Sequence, residues 1–178
     1  MKTGNVYKIV MSAMLCGIGI VIPIFMPLRF VMEPASYTLG SHVAIFIAMF
    51  ISPVVAAAVS LGTTLGFFFG GFPIVVVLRA ASHVVFAVAG ALVLKKWPGT
   101  LSKLPSICLF SLCIALLHSI GELIVVAAFY FGNAVTEIWY SQGFAVSVLL
   151  LVGLGTVIHS IIDFALALVI WKPIVKVI

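Results

Sequence analysis

The stretch FPIVVVLRAASHVVFAVAGALVL, residues 72–94, constrains this chain more than any other. It is long enough to cross a bilayer once as a helix, which takes about 20 apolar residues. It nevertheless carries Arg79 and His83, which are four apart and so share one helix face. An arginine left unpaired among lipid tails costs at least about 3 kcal/mol. That face is therefore expected to look at protein, at a polar cavity or at an anionic ligand, and not at lipid.

The rest of the chain fits the same setting. Of its 178 residues 65% are hydrophobic and only 7% charged, and mean hydropathy is +1.41. A soluble domain carries roughly 25% charge, so the chain reads as an integral membrane protein with no room for a soluble domain. Its apolar runs are long and continuous and do not alternate, which points to helices and not to the strands of a membrane barrel. The expected fold is all-α, a single membrane domain over residues 1–178 with six crossings near 7–25, 40–51, 53–68, 72–94, 104–131 and 143–171. The second and third segments are short, and Ser52-Pro53 breaks between them. The first apolar run continues into Pro23 and Pro27 without a small-x-small cleavage site, so it reads as a retained helix and not a signal peptide.

Charge assigns an orientation. With six crossings, Lys2, Lys8, Lys95, Lys96, Lys103, Lys172 and Lys176 all fall on one side, leaving Arg29 opposite and Arg79 within the membrane. The positive-inside rule then puts both termini in the cytoplasm. The net charge of +5 is thus topological. No basic stripe suggests nucleic acid. Cys16, Cys108 and Cys113 lie within apolar runs and read as small buried hydrophobes, with no metal or disulfide spacing. The outer loops are 26–39, 69–71 and 132–142. The first holds Arg29, Glu33, Pro34 and Tyr37, and the third Asn133, Glu137, Trp139 and Tyr140. Trp139 and Tyr140 suit an interfacial aromatic belt or the rim of an outward-facing mouth. The glycines of GTTLGFFFGGF, residues 62–72, suit close helix approach and a tight outer turn.

Polar pairs recur at helical spacing: Arg79 with His83, His118 with Glu122, and His159 with Asp163, while His42 opens the second segment. Counting rise per residue along each crossing, Arg79 and Glu122 fall toward the outer side and His83 and His118 near the middle, so the four can share one layer, while Asp163 falls in the inner half. Two readings stand side by side. In one, Arg79 and Glu122 form a buried structural pair. In the other, the guanidinium fork meets a ligand carboxylate, with Glu122 or a histidine meeting a hydroxyl or amide. His159 and Asp163 read as a helix–helix contact. There is no HExxH helix, GxSxG elbow or P-loop, so no enzyme or cofactor is expected, and uphill transport would need an ion gradient or a partner. His83, His118 and His159, single histidines on separate helices, are weak evidence for a membrane metal site, and none is expected. In helix one, Ala13, Gly17 and Val21 recur every four residues, a face that lets another helix approach closely.

Taken together, the length, the six segments and AMLCGIGIVI in helix one resemble the substrate-binding S components of energy-coupling factor (ECF) vitamin transporters. The family's Ala-x-x-x-Ala pattern reads here as Ala13, Gly17 and Val21, the last bulkier than the pattern asks. The resemblance implies a vitamin bound from outside between helices four to six and the first outer loop. It also implies partners: a membrane-embedded EcfT-type coupling subunit that meets the small face of helix one, and two cytoplasmic ATPase subunits. Carried onto this chain it implies a substrate site of Arg79, His83, His118, Glu122, Tyr37 and His42, with Asn133 and Trp139 near its mouth. LGSHVAIFIAMFISP and GFPIVVVLRAASHVVFA are similar to pantothenate S components, with niacin, another small carboxylate, the next expectation. A self-contained proton-coupled transporter, using Glu122, Asp163 and the histidines as a relay, is the alternative of a different class.

Overall fold

The computed structural model describes residues 4–32 and 35–175; Lys2, Glu33, Pro34 and Lys176 lie outside the described residues. In order, the elements are α1 (Asn5–Phe25), a hairpin of β1 (Arg29–Met32) and β2 (Ala35–Thr38), α2 (Val43–Ile51), α3 (Pro53–Phe69), α4 (Ile74–Lys96) and α5 (Leu104–Phe131). They are followed by the short α6 (Glu137–Ser141), a π-wound segment (Ala145–Leu154) and α7 (Gly155–Val175), which continues it.

Four stretches are long and apolar enough to cross a membrane: Asn5–Phe25, Ile74–Lys96, Leu104–Phe131 and Ala145–Ile174. Their outward side chains are apolar, as with Ile9 at 68%, Leu109 at 66% and Val169 at 70% exposed. A soluble bundle would place charges there, and lipid accounts for their absence. This is a multi-pass membrane protein.

The second expected crossing turns out differently. At about 1.5 Å per residue, α2 is roughly 14 Å long, and Val43 through Met49 are all buried. A helix apolar on every side belongs in a core. Here α1, α3, α4 and α7 all pack against it. Phe46 sits 5.6 Å from Phe86 and 5.4 Å from Phe164 between ring centroids. The break at Ser52-Pro53 is real: the Ser52 hydroxyl accepts from Val55 N at 3.2 Å, and Pro53 takes the first position of α3, where no N–H is needed.

The glycines of α3 do bring α1 in. A Cβ on Gly62 would lie 2.5 Å from Cys16 Sγ, and one on Gly19 of α1 would lie 2.8 Å from Thr63 Oγ1. Gly71, at φ +75, makes the tight turn before α4. On the other side of α1, Ala13, Gly17 and Val21 are exposed.

Two departures from an all-helical reading shape the outer end. The first outer loop is an antiparallel hairpin with Phe30 opposite Tyr37. Period-two patterning over only four residues per strand is too short to stand out beside long apolar runs. The last membrane segment is not one uniform α-helix, since its first ten residues are π-wound. Wide winding loosens the regular carbonyl pairing. Side chains take carbonyls there: the Tyr37 hydroxyl donates to Leu151 O, and Ser119 Oγ donates to Gly153 O at 2.8 Å.

Candidate functional site

A cavity of about 200 Å³ lies over the N-terminal end of α2, between the hairpin and α1, α3, α4, α5 and α7. Each side contributes for a local reason. The hairpin register turns Tyr37 inward, where it is 7% exposed. Its ring packs 5.2 Å from His159. Burial pushes the Tyr37 phenol above its ordinary value, against the pull of the Arg79 guanidinium. Gly155 makes room for it, since a Cβ there would collide with the Tyr37 hydroxyl.

Arg79 on α4 reaches Glu122 on α5, donating from Nη2 to Oε2 at 2.8 Å. Glu122 is 3% exposed. The same Oε2 accepts from Thr156 Oγ1 at 2.6 Å. The other oxygen, Oε1, faces two imidazoles: His83 Nε2 at 3.2 Å and His118 Nε2 at 3.6 Å. The second distance is beyond a hydrogen bond. His118 Nδ1 pairs with Ser160 Oγ at 3.2 Å.

A second polar group joins the first. Asp163 on α7 accepts from Gly40 N at 2.7 Å and from His42 N at 2.9 Å. A carboxylate thus holds the start of α2, where orphan N–H groups and the helix dipole favour negative charge. His42 Nδ1 lies 3.2 Å from Asp163 Oδ2 and 3.1 Å from His159 Nε2. The His42 ring stands edge-on to His83 at 4.8 Å and to His118 at 4.6 Å. The expected separation by depth therefore does not hold. His42, carried by neither α5 nor α7, fills the gap that counting residues along those helices could not see.

Of the expected site residues, Arg79, His83, Glu122, Tyr37 and His42 line the cavity, and His118 stands behind, in contact with His83 and His42. Asn133 and Trp139 do not line it. Asn133 is exposed in the turn after α5, with φ 53, a left-handed conformation that asparagine tolerates. Trp139 is only 9% exposed and packs in a cluster with Ala35 and Tyr37. It therefore backs the hairpin instead of forming a lipid-facing belt. Tyr140 donates to Tyr130 O at 3.1 Å.

His159, Thr156 and Ser41 also line the cavity, and sequence reasoning passed over them as site residues. Thr156 lies three residues before His159, on the same face of α7. That spacing was the available signal. Arg79 Nε, His118 Nε2 and Thr63 Oγ1 are buried with no hydrogen-bond partner among the described residues. Buried polar atoms are rarely left so. The site has a cationic fork, ring walls and unspent donors, which suits a small flat anion.

The chain is 42% identical over 169 residues to the "Niacin transporter NiaX" of Lactococcus lactis subsp. cremoris (strain MG1363), a match covering 94% of this chain and 74% of that protein. No protein-family model matches the chain, and no solved structure does either.

Proposed function

Because the chain belongs to the family of that Lactococcus transporter, and is accordingly a membrane transport protein and not an enzyme, we propose that its substrate is niacin, bound as nicotinate in the cavity above α2. The observation that carries this is Arg79, half-buried in the bundle and lining a cavity with its Nε buried and free of a partner among the described residues. The guanidinium fork takes the carboxylate, and the imidazole and Tyr37 rings flank the pyridine. The cavity, at about 200 Å³, is smaller than the roughly 300–1,000 Å³ that drug-sized ligands occupy. One ring with one carboxylate suits it better than the branched chain of pantothenate, a substrate the niacin-transporting relative does not support.

The chain acts as a single membrane domain and as the S component of an ECF machine, with six membrane segments, of which α2 is enclosed by the others, and with cytoplasmic termini. Niacin enters from outside under the hairpin. The exposed face of Ala13, Gly17 and Val21 meets an EcfT-type coupling subunit, and two cytoplasmic ATPase subunits supply the energy.

Purified protein in detergent should bind radiolabelled nicotinate with sub-micromolar affinity in the absence of ATP. Nicotinamide lacks the charge, so it should bind at least about 100-fold more weakly. Arg79→Ala should cost nicotinate about 2–5 kcal/mol. Equal binding of acid and amide, or unchanged affinity in the variant, would remove Arg79 from recognition. One observation favours a second reading: the unbroken run of titratable side chains from Glu122 through His42 to Asp163 suits a proton relay. Uptake into proteoliposomes containing this chain alone, driven by a pH gradient, would select it.

A further inference from the structure

The Glu122 carboxylate is divided in its duties. Oε2 is fully engaged by Arg79 and Thr156. Oε1 is left to two imidazole nitrogens, and only one of them, His83 Nε2, comes within hydrogen-bond distance. His118 is 1% exposed, and its Nε2 has no hydrogen-bond partner among the described residues. If the purpose were hydrogen bonding alone, that nitrogen would be a costly orphan.

One ligand atom from each of His42, His83, His118 and Glu122 lies within 4.8 Å of the others. We propose that these four side chains bind a single zinc ion at the head of α2, with Asp163 orienting His42 from behind.

The spacing fits. With metal–ligand bonds of about 2.0–2.1 Å, neighbouring ligand atoms of a tetrahedral site stand about 3.4 Å apart. The distances from Glu122 Oε1 to His83 Nε2 and His118 Nε2, 3.2 and 3.6 Å, bracket that value. The outer contacts fit as well. A ligating imidazole usually donates its other N–H to an oxygen, which fixes the tautomer. His118 Nδ1 has Ser160 Oγ at 3.2 Å, and His42 Nδ1 has the Asp163 carboxylate at 3.2 Å, leaving Nε2 of each ring for the metal. Three imidazoles and a carboxylate suit zinc.

Charge agrees. With histidines counted neutral, one guanidinium and two carboxylates leave this buried group a single negative charge. A divalent ion together with a monocarboxylate ligand brings it to neutrality, and buried charge is tolerated when compensated. In a consequence that rests on the niacin reading, the ion expands its coordination toward the cavity and takes the substrate's carboxylate or pyridine nitrogen.

The test uses the full chain, purified through a tag without histidine, stripped with chelator and titrated with zinc chloride alone. One zinc per chain is expected, at sub-micromolar dissociation constant in chelator competition, with three imidazoles and one carboxylate by X-ray absorption. His118→Ala should weaken zinc at least about 100-fold. His83→Gln gives the same reading should the first variant fail to fold. Replacing the exposed Cys108 and Cys113 by serine should leave zinc in place. Sub-stoichiometric zinc, unchanged affinity in both histidine variants, or loss with the cysteines would overturn the proposal. Nicotinate binding is measured on the same samples. Nicotinate binding by a chain that takes up no zinc sinks the metal and leaves the transport reading intact, whereas zinc uptake with no nicotinate binding does the reverse.

Discussion

Glu122→Gln tests how the bundle carries its buried charge. The carboxylate holds Arg79 at 2.8 Å, Thr156 at 2.6 Å and His83 at 3.2 Å. Glutamine keeps the shape but offers one acceptor oxygen where there were two, and turns an NH2 group toward donors. It also leaves the Arg79 guanidinium, 17% exposed, without its counter-charge. Breaking a buried pair from one side costs about 3–5 kcal/mol, because the surviving charge is uncompensated. Arg79→Gln strands Glu122 in the same way and should cost a similar amount. The double variant strands neither, so its cost should fall short of the sum by about 1.5–3 kcal/mol. The assay is unfolding in mixed micelles on addition of a denaturing detergent, with chelator present, followed by tryptophan fluorescence, to which the buried Trp139 contributes. Additive single effects, with coupling under about 0.5 kcal/mol, would mean that water or lipid headgroups already screen Arg79. The argument for a buried fork awaiting an anion would then fail.

Other expectations concern how the cavity is framed. Tyr37→Phe removes the donor to Leu151 O and should destabilise by about 1 kcal/mol, read in the same unfolding assay and as faster hydrogen exchange in the π-wound segment. Since burial raises the Tyr37 phenol, its stabilising share is present below its ordinary value of 10 and is lost as pH rises through the higher folded value. The wild type should therefore lose more melting temperature above pH 10 than Tyr37→Phe does. Gly155→Ala forces a methyl group into the Tyr37 hydroxyl and should cost about 1–3 kcal/mol while weakening nicotinate binding. Gly62→Val wedges α1 away from α3 at Cys16; thermal stability should fall, and an unchanged melting point would show that α1 is loosely held.

Much of the membrane character was legible from order alone. Residues 72–94 had to cross or be buried, because twenty apolar residues have no other stable place. Arg79 within them had to find a partner, because hydrocarbon offers none. Periodicity also set His118 with Glu122 and His159 with Asp163 on single faces, since a helix repeats locally. What joins different helices is not periodic. That Oε2 of Glu122 takes both Arg79 and Thr156, and that His42 closes the gap between two polar groups, depends on α2 being a short helix swallowed by the bundle. Hydropathy cannot tell such a helix from a crossing, because both are apolar on every side. The hairpin and the π winding escaped for a related reason: their stabilisation comes from Tyr37 reaching Leu151 and Trp139 packing behind it, contacts between residues about a hundred positions apart. The sequence by itself determined which side chains must be sheltered from lipid. Only tertiary structure decided that they shelter together, around one cavity, because shape complementarity among helices is a property of the packed bundle and of no single stretch of it.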